Sequence, residues 1–232
     1  RANGMLFWAY YFGYEDYPGD PQKALEYAKK GSDAADPICG LLYAAYSDIS
    51  QDEKLELLRE VRTQVSKMAD ANDSFATLAL GACYFQARQY DEAQKALSSY
   101  EKAGGVLAYE MLGLMKQYVK KQEKTALIYY KKAVKNKIYH AYILMGDLYW
   151  KGSQYIVIGR RLGTVSCDCD NRARECYKKA TEHNQGEAAY KLAETISRTC
   201  QEKRDYWFAL AEKQGYKKDM KSWTSDIEEF NH

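Results

Sequence analysis

Small, apolar and charged positions follow one pattern in four segments of the chain: residues 22–31 (QKALEYAKKG), 94–104 (QKALSSYEKAG), 124–133 (KTALIYYKKA) and 172–180 (RARECYKKA). In each, two small residues stand seven apart, with an aromatic and one or two lysines between them. A second signature precedes most of them, as in Gly40-Leu41-Leu42-Tyr43, Gly81-Ala82-Cys83-Tyr84 and Gly146-Asp147-Leu148-Tyr149. Phe7, Gly40, Gly81, Gly113, Gly146 and Ala193 occupy the glycine mark. Tyr10, Tyr43, Tyr84 and Tyr149 follow three residues later, one helical turn on and on the same face. An internal repeat of this kind predicts stacked helix pairs, in which the mark is small because two helices approach there. Phe7 departs from that rule as a terminal unit with one free face can.

The expected first helices run over about 2–13, 36–47, 73–87, 106–119, 138–151 and 187–198. The second helices run over about 20–31, 51–70, 90–103, 122–136, 169–184 and 201–214. A last helix at about 218–230 carries Trp223, Ile227 and Phe230 at helical spacing and reads as a cap. Breaks fall at Pro18-Gly19-Asp20, Asp36-Pro37, Asn72-Asp73, Gly104-Gly105 and Gly215. The expectation is an all-α, right-handed α/α solenoid of about six helix pairs plus a C-terminal capping helix. It forms a single domain over 1–232, with units at about 2–35, 36–72, 73–105, 106–137, 138–185 and 186–216 and the cap at 217–232. Segment 153–168 stands apart. Tyr155-Ile156-Val157-Ile158 and Thr164-Val165 favour extended chain, and Gly159 and Gly163 bracket Arg160-Arg161-Leu162. A β-hairpin-like insertion and a plain loop both fit, and Tyr155, Arg160 and Arg161 form a candidate loop site.

Leu144 to Gly152 and Asn171 to Ala180 together resemble a Sel-one-like repeat, a relative of the tetratricopeptide repeat. Tyr10, Gly13, Asp20 and Lys23-Ala24 resemble it in the first unit, and Arg88-Gln89-Tyr90-Asp91-Glu92-Ala93 looks closer to a tetratricopeptide unit. The second unit lacks the Lys-Ala signature, and the fourth has Lys116 where the Tyr belongs. The resemblance implies a non-enzymatic adaptor or scaffold that holds a peptide or partner protein in a concave groove lined by the first helices. Carried over by register, the groove residues are Phe75, Leu78 and Phe85; Glu110, Gln117 and Tyr118; His140, Asp147 and Trp150; and Tyr190, Glu194 and Arg198. About half of these are expected to pack between helices instead.

Composition narrows the alternatives. Lys+Arg is 34 against Asp+Glu 32, a net charge of +2, so bulk charge makes no case for nucleic acid or an anionic membrane. The lysine pairs 29–30, 131–132 and 178–179 belong to the repeat and fall on its solvated face. No apolar run is long enough to span a membrane. The 22 tyrosines suit both helix packing and binding surfaces. Cys39 and Cys83 lie beside the repeat glycines and read as packed thiols. Cys167, Cys169, Cys176 and His183 offer zinc-ligand chemistry at a spacing that does not match a zinc knuckle, and this metal- or thiol-dependent reading is the alternative to the adaptor. Asn72-Asp73-Ser74 matches the glycosylation acceptor pattern. No phosphate loop, nucleophile elbow or zinc-protease motif occurs, so no catalytic residue, metal or cofactor is expected. The start at Arg1 suggests a processed piece, or a spacer of a longer chain; compartment and oligomeric state stay open.

Overall fold

The computed structural model describes residues 1–159, 166–197 and 199–216, apart from the side chains of 152–159 and 166–169. Twelve α-helices are described: α1 (Ala2–Phe12), α2 (Pro21–Asp33), α3 (Pro37–Tyr46), α4 (Gln51–Asp70), α5 (Ser74–Gln86), α6 (Tyr90–Lys102), α7 (Tyr109–Leu114), α8 (Glu123–Lys135), α9 (Ala141–Gly159), α10 (Ser166–Glu182), α11 (Gly186–Thr195) and α12 (Gln201–Lys213). α7 runs on into a wider π-type turn over Met115–Val119. The chain forms two compact units. Unit 1 is Arg1–Phe12 with Asp20–Asn136, and unit 2 is Gly13–Gly19 with Lys137–His232.

The helix starts are written in the sequence. Asp20, Asp36 and Asp73 each turn a carboxylate back onto the first free N–H groups of α2, α3 and α5, at 3.0 Å to Lys23 N, Ile38 N and Phe75 N. Pro21 and Pro37 take first-turn positions, where a missing N–H costs nothing. Ser50 and Glu53 make a reciprocal capping box at the start of α4. The stops are just as regular. A residue with φ between 56° and 88° follows α2, α4, α5, α6, α10 and α12: Ala35, Asn72, Arg88, Gly104, Asn184 and Gly215. The next N–H then reaches five residues back, as Asp36 N does to Gly31 O (3.0 Å) and Gly105 N to Tyr100 O (2.9 Å). This Schellman closure satisfies carbonyls that the helix end would leave bare. After the π-type turn the reach lengthens by one residue, Gln122 N to Lys116 O at 2.7 Å.

Within each unit, helices pack on their neighbours in chain order, the arrangement of an α/α solenoid. In unit 1, α1 packs on α2, α2 on α3, α3 on α4 and α5, α5 on α6, and α7 on α8; in unit 2, α9 packs on α10, α10 on α11, and α11 on α12. The glycine marks act as expected. A Cβ on Gly81 would lie 2.7 Å from Leu97, and one on Gly113 or Gly146 would lie 2.4 Å from the ring of Tyr130 or Tyr177. At the N-terminus the sizes reverse: Phe7 stands at the mark and the second helix supplies Ala28, both fully buried. Around Phe7, the rings of Trp8, Tyr11, Phe12 and Tyr46 stack or meet edge to face at 4.8–6.4 Å. That geometry adds roughly 0.5–1.5 kcal/mol per ring pair beyond area burial.

Two expectations need correction. In α6 the pair seven apart is Ala93 and Tyr100, with Leu97 between them, all buried; Ala103 lies past the helix end and is exposed. Tyr100 fits where a small residue was expected because Gly105 leaves room for its ring: a Cβ there would stand 2.2 Å from it. The hairpin reading of 153–168 also gives way. Residues 153–159 continue α9 and 166–168 open α10. Extending a formed helix adds one hydrogen bond per residue, while Ile156, Val157 and Ile158 each disfavour it by only a few tenths of a kcal/mol. The capping helix expected at 217–232 lies outside the described residues.

Candidate functional site

Unit 1 turns most of its predicted groove residues inward. Leu78, Phe85, Glu110, Gln117 and Tyr118 are buried, and Phe75 is half-buried. Gln117 and Tyr118 lie on the π-type turn, which inserts one residue and rotates the side chains beyond it. Gln117 Oε1 accepts a 2.7 Å hydrogen bond from the Tyr130 hydroxyl, in the interior. The Tyr46 hydroxyl, also enclosed, is pushed up in pKa by burial.

Unit 2 arranges its residues differently. Asp147 follows the Gly146 mark on α9, and its carboxylate takes two partners from two other helices. The Tyr177 hydroxyl of α10 donates to Oδ1 at 2.7 Å, and Lys191 Nζ of α11 donates to Oδ2 at 2.7 Å. Lys191 also lies 3.4 Å from Glu187 Oε1, one turn earlier on α11, and Glu187 Oε2 stands 4.0 Å from His140 Nε2. Burial, then the Asp147 charge, raises the Tyr177 pKa well above the ordinary phenol range. His140 and Glu187 are buried. Asp147, Trp150, Tyr190 and Lys191 are half-buried, and Glu194 is exposed. Asp147 and Trp150 stand three apart on α9, as Lys191 and Glu194 do on α11, so each pair shares a helix face.

His140, Asp147, Trp150, Tyr190 and Glu194 are expected groove residues from the sequence, whereas Tyr177, Glu187 and Lys191, which the structure joins to Asp147 and His140, were not among them. Glu187 and Lys191 carry a usable signal, opposite charges at i and i+4. Tyr177 was legible only as a repeat aromatic. Arg198, Arg160 and Arg161 lie outside the described residues, as does the side chain of Tyr155.

The thiols divide by burial. Cys39 is fully buried and burial pushes its pKa up to about 12; Cys83 is half-buried and shifted the same way for the same reason. Cys176 is buried and Cys200 exposed, both as free thiols. The His183 ring stacks on Tyr139 with centroids 3.4 Å apart. The side chains of Cys167 and Cys169 fall outside the described residues, and among the described ones no three His, Cys, Asp or Glu side chains gather as a metal site. No helix among the described residues is long and apolar enough to cross a membrane.

No protein-family profile matches the chain, and no curated protein does. Among solved structures the chain is similar to a Sel1 repeat protein from Oxalobacter formigenes, at 16% identity over 95% of this chain and 86% of that one, with a TM-score of 0.49. It is similar also to a protective antigen of uropathogenic Escherichia coli strains displaying an SLR fold, at 18% identity and a TM-score of 0.33. That match covers 93% of this chain and 54% of the other.

Proposed function

We propose that the chain is a non-enzymatic protein-interaction module, an adaptor or scaffold that binds a peptide or partner protein. Its binding surface is the α9–α11 surface of unit 2, where Asp147, Trp150 and Tyr190 are half-buried and Glu194 is exposed. The observation that carries this reading is the fixed Lys191–Asp147–Tyr177 cluster beside half-buried Trp150 and Tyr190. Rigid aromatic anchors next to oriented charges give contact area at low entropy cost and set the register of an extended partner. Helix pairs stacked in chain order, and the resemblance of residues 144–152 and 171–180 to a Sel-one-like repeat, support the same reading. The titratable groups of the cluster are engaged with one another, an arrangement that favours positioning over turnover.

The test is capture of partners from a lysate of the protein's own source on immobilised chain, against Trp150→Ala and Tyr190→Ala variants that keep the helical circular-dichroism signal. A partner held by the wild type and lost by both variants supports the α9–α11 surface. Equal retention by all three overturns it. Tyr118 is unsuitable as a control, because its burial makes Tyr118→Ala a packing defect.

A further inference from the structure

The 20-residue helix α4 has a single buried residue, Val65, although Leu55, Leu57, Leu58, Val61 and Met68 are also apolar. Leu55 is 46% exposed and Leu58 half-buried. At 100° per residue, Leu55, Leu58 and Arg62 lie along one stripe about 60° wide, which adjoins the Val61–Val65 face at Leu58 and runs outward from it to Leu55. Asp52 borders this stripe on its solvent side. Arg62 is already oriented, with its guanidinium 5.4 Å from the centre of the Tyr84 ring.

We propose that this stripe is a self-association surface that takes the same stripe of a second copy, antiparallel, about a two-fold axis between residues 56 and 57. The charge order along the helix points to that occupant. With the two-fold there, Leu55 faces Leu58 of the second copy, and Asp52 comes within one helical step of Arg62 of the second copy; symmetry makes each contact twice. A parallel pairing would set Asp52 against Asp52 and Arg62 against Arg62. Antiparallel helices also bring opposite dipole ends together. The net charge of +2 offers little repulsion between copies. Two leucine pairs and two ion pairs make a small interface, below the ~1,200 Å² of standard complexes, so the dimer is weak and reversible.

Sedimentation equilibrium from about 10 µM to about 1 mM chain, at low salt, tests this, because screening weakens exposed ion pairs. The expected result is a mass that rises from one chain toward two with concentration. Leu55→Glu holds it at one chain while leaving the melting temperature in place. Asp52→Arg and Arg62→Asp each reduce association several-fold, and mixing the two variants restores it. A mass that stays at one chain up to 1 mM overturns the proposal. So does a dimer indifferent to Leu55→Glu, or one that mixing the charge variants fails to restore. None of these outcomes bears on the α9–α11 surface, which uses other residues.

Discussion

The fourth and fifth helix pairs solve one packing problem with different chemistry. In unit 1, the Tyr130 ring lies over Gly113 and its hydroxyl donates to the neutral amide of Gln117. In unit 2, the Tyr177 ring lies over Gly146 at the same separation, and its hydroxyl donates to the carboxylate of Asp147 over the same 2.7 Å. The neutral acceptor lies in the interior and needs no counter-charge. The charged acceptor demands a counter-charge, and Lys191 supplies it from the next helix pair. One change of acceptor thus turns a local packing bond into a tie across α9, α10 and α11, on a face that stays partly open. A repeat unit becomes distinctive where its acceptor is charged, because the counter-ion must come from outside the unit.

Filling the glycine should separate the two most strongly. Gly113→Ala and Gly146→Ala both force a ring aside, and overpacking typically costs about 1–3 kcal/mol. Each displaced ring also gives up its hydroxyl bond, a neutral one worth roughly 0.5–1.5 kcal/mol in unit 1 and a charge-assisted one worth roughly 1.5–3 kcal/mol in unit 2. Denaturant titration should therefore show a loss of about 4 kcal/mol for Gly146→Ala against about 3 for Gly113→Ala. Equal losses would mean that the Asp147 bond is worth no more than the Gln117 bond.

Removing only the hydroxyl isolates that bond. Tyr177→Phe should cost about 2 kcal/mol and Tyr130→Phe about 1, the usual difference between charged and neutral hydrogen bonds. If the order is reversed, the buried Gln117 amide suffers more from losing its donor than the half-buried carboxylate, which water can reach.

Alkaline titration probes the same contrast. Tyr177 has a folded pKa raised by burial and by Asp147, so below about pH 10 both folded and unfolded forms keep the proton. Above that, the unfolded chain releases a proton that the native chain retains. Stability then falls as pH rises, by up to about 1.4 kcal/mol per pH unit for each such group. Tyr46 in unit 1 is raised too, by burial. Urea midpoints from pH 9 to 11 should fall less steeply in Tyr177→Phe and in Tyr46→Phe than in the wild type. An unchanged slope in either would remove that tyrosine from the account.

The helix pairs, their aspartate caps and their glycine marks were legible because each rests on local chemistry: a carboxylate two or three residues from a free N–H, or a missing Cβ at a fixed spacing. What escaped depends on the residue facing a position across helices. Ala96 and Ala103 match the repeat spacing as well as Ala93 and Tyr100 do, and only the space above Gly105 decides between them. The π-type turn over Met115–Val119 has no local marker, and the burial of Gln117 and Tyr118 on it depends on what packs against them. Asp147 was visible beside its glycine, whereas a sequence separation of 44 from Lys191 hides the ion pair from any periodicity.

The smallest expected difference lies in the helix stops. Ala35 ends α2 in unit 1 at φ 59°, and Asn184 ends α10 in unit 2 at φ 56°; both are exposed. A Cβ in the left-handed region costs roughly 1–2 kcal/mol, whereas Asn tolerates it through local hydrogen bonds. Glycine removes that cost but loosens the unfolded chain by about 0.4–1 kcal/mol. Ala35→Gly should therefore gain about 0.5 kcal/mol, and Asn184→Gly should stay within a few tenths of wild type. The check is the denaturation midpoint at unchanged slope, since a changed slope would signal an altered unfolded state instead. A loss at Ala35→Gly would mean that its turn is held by the flanking Asp36 cap strongly enough to make the strain irrelevant.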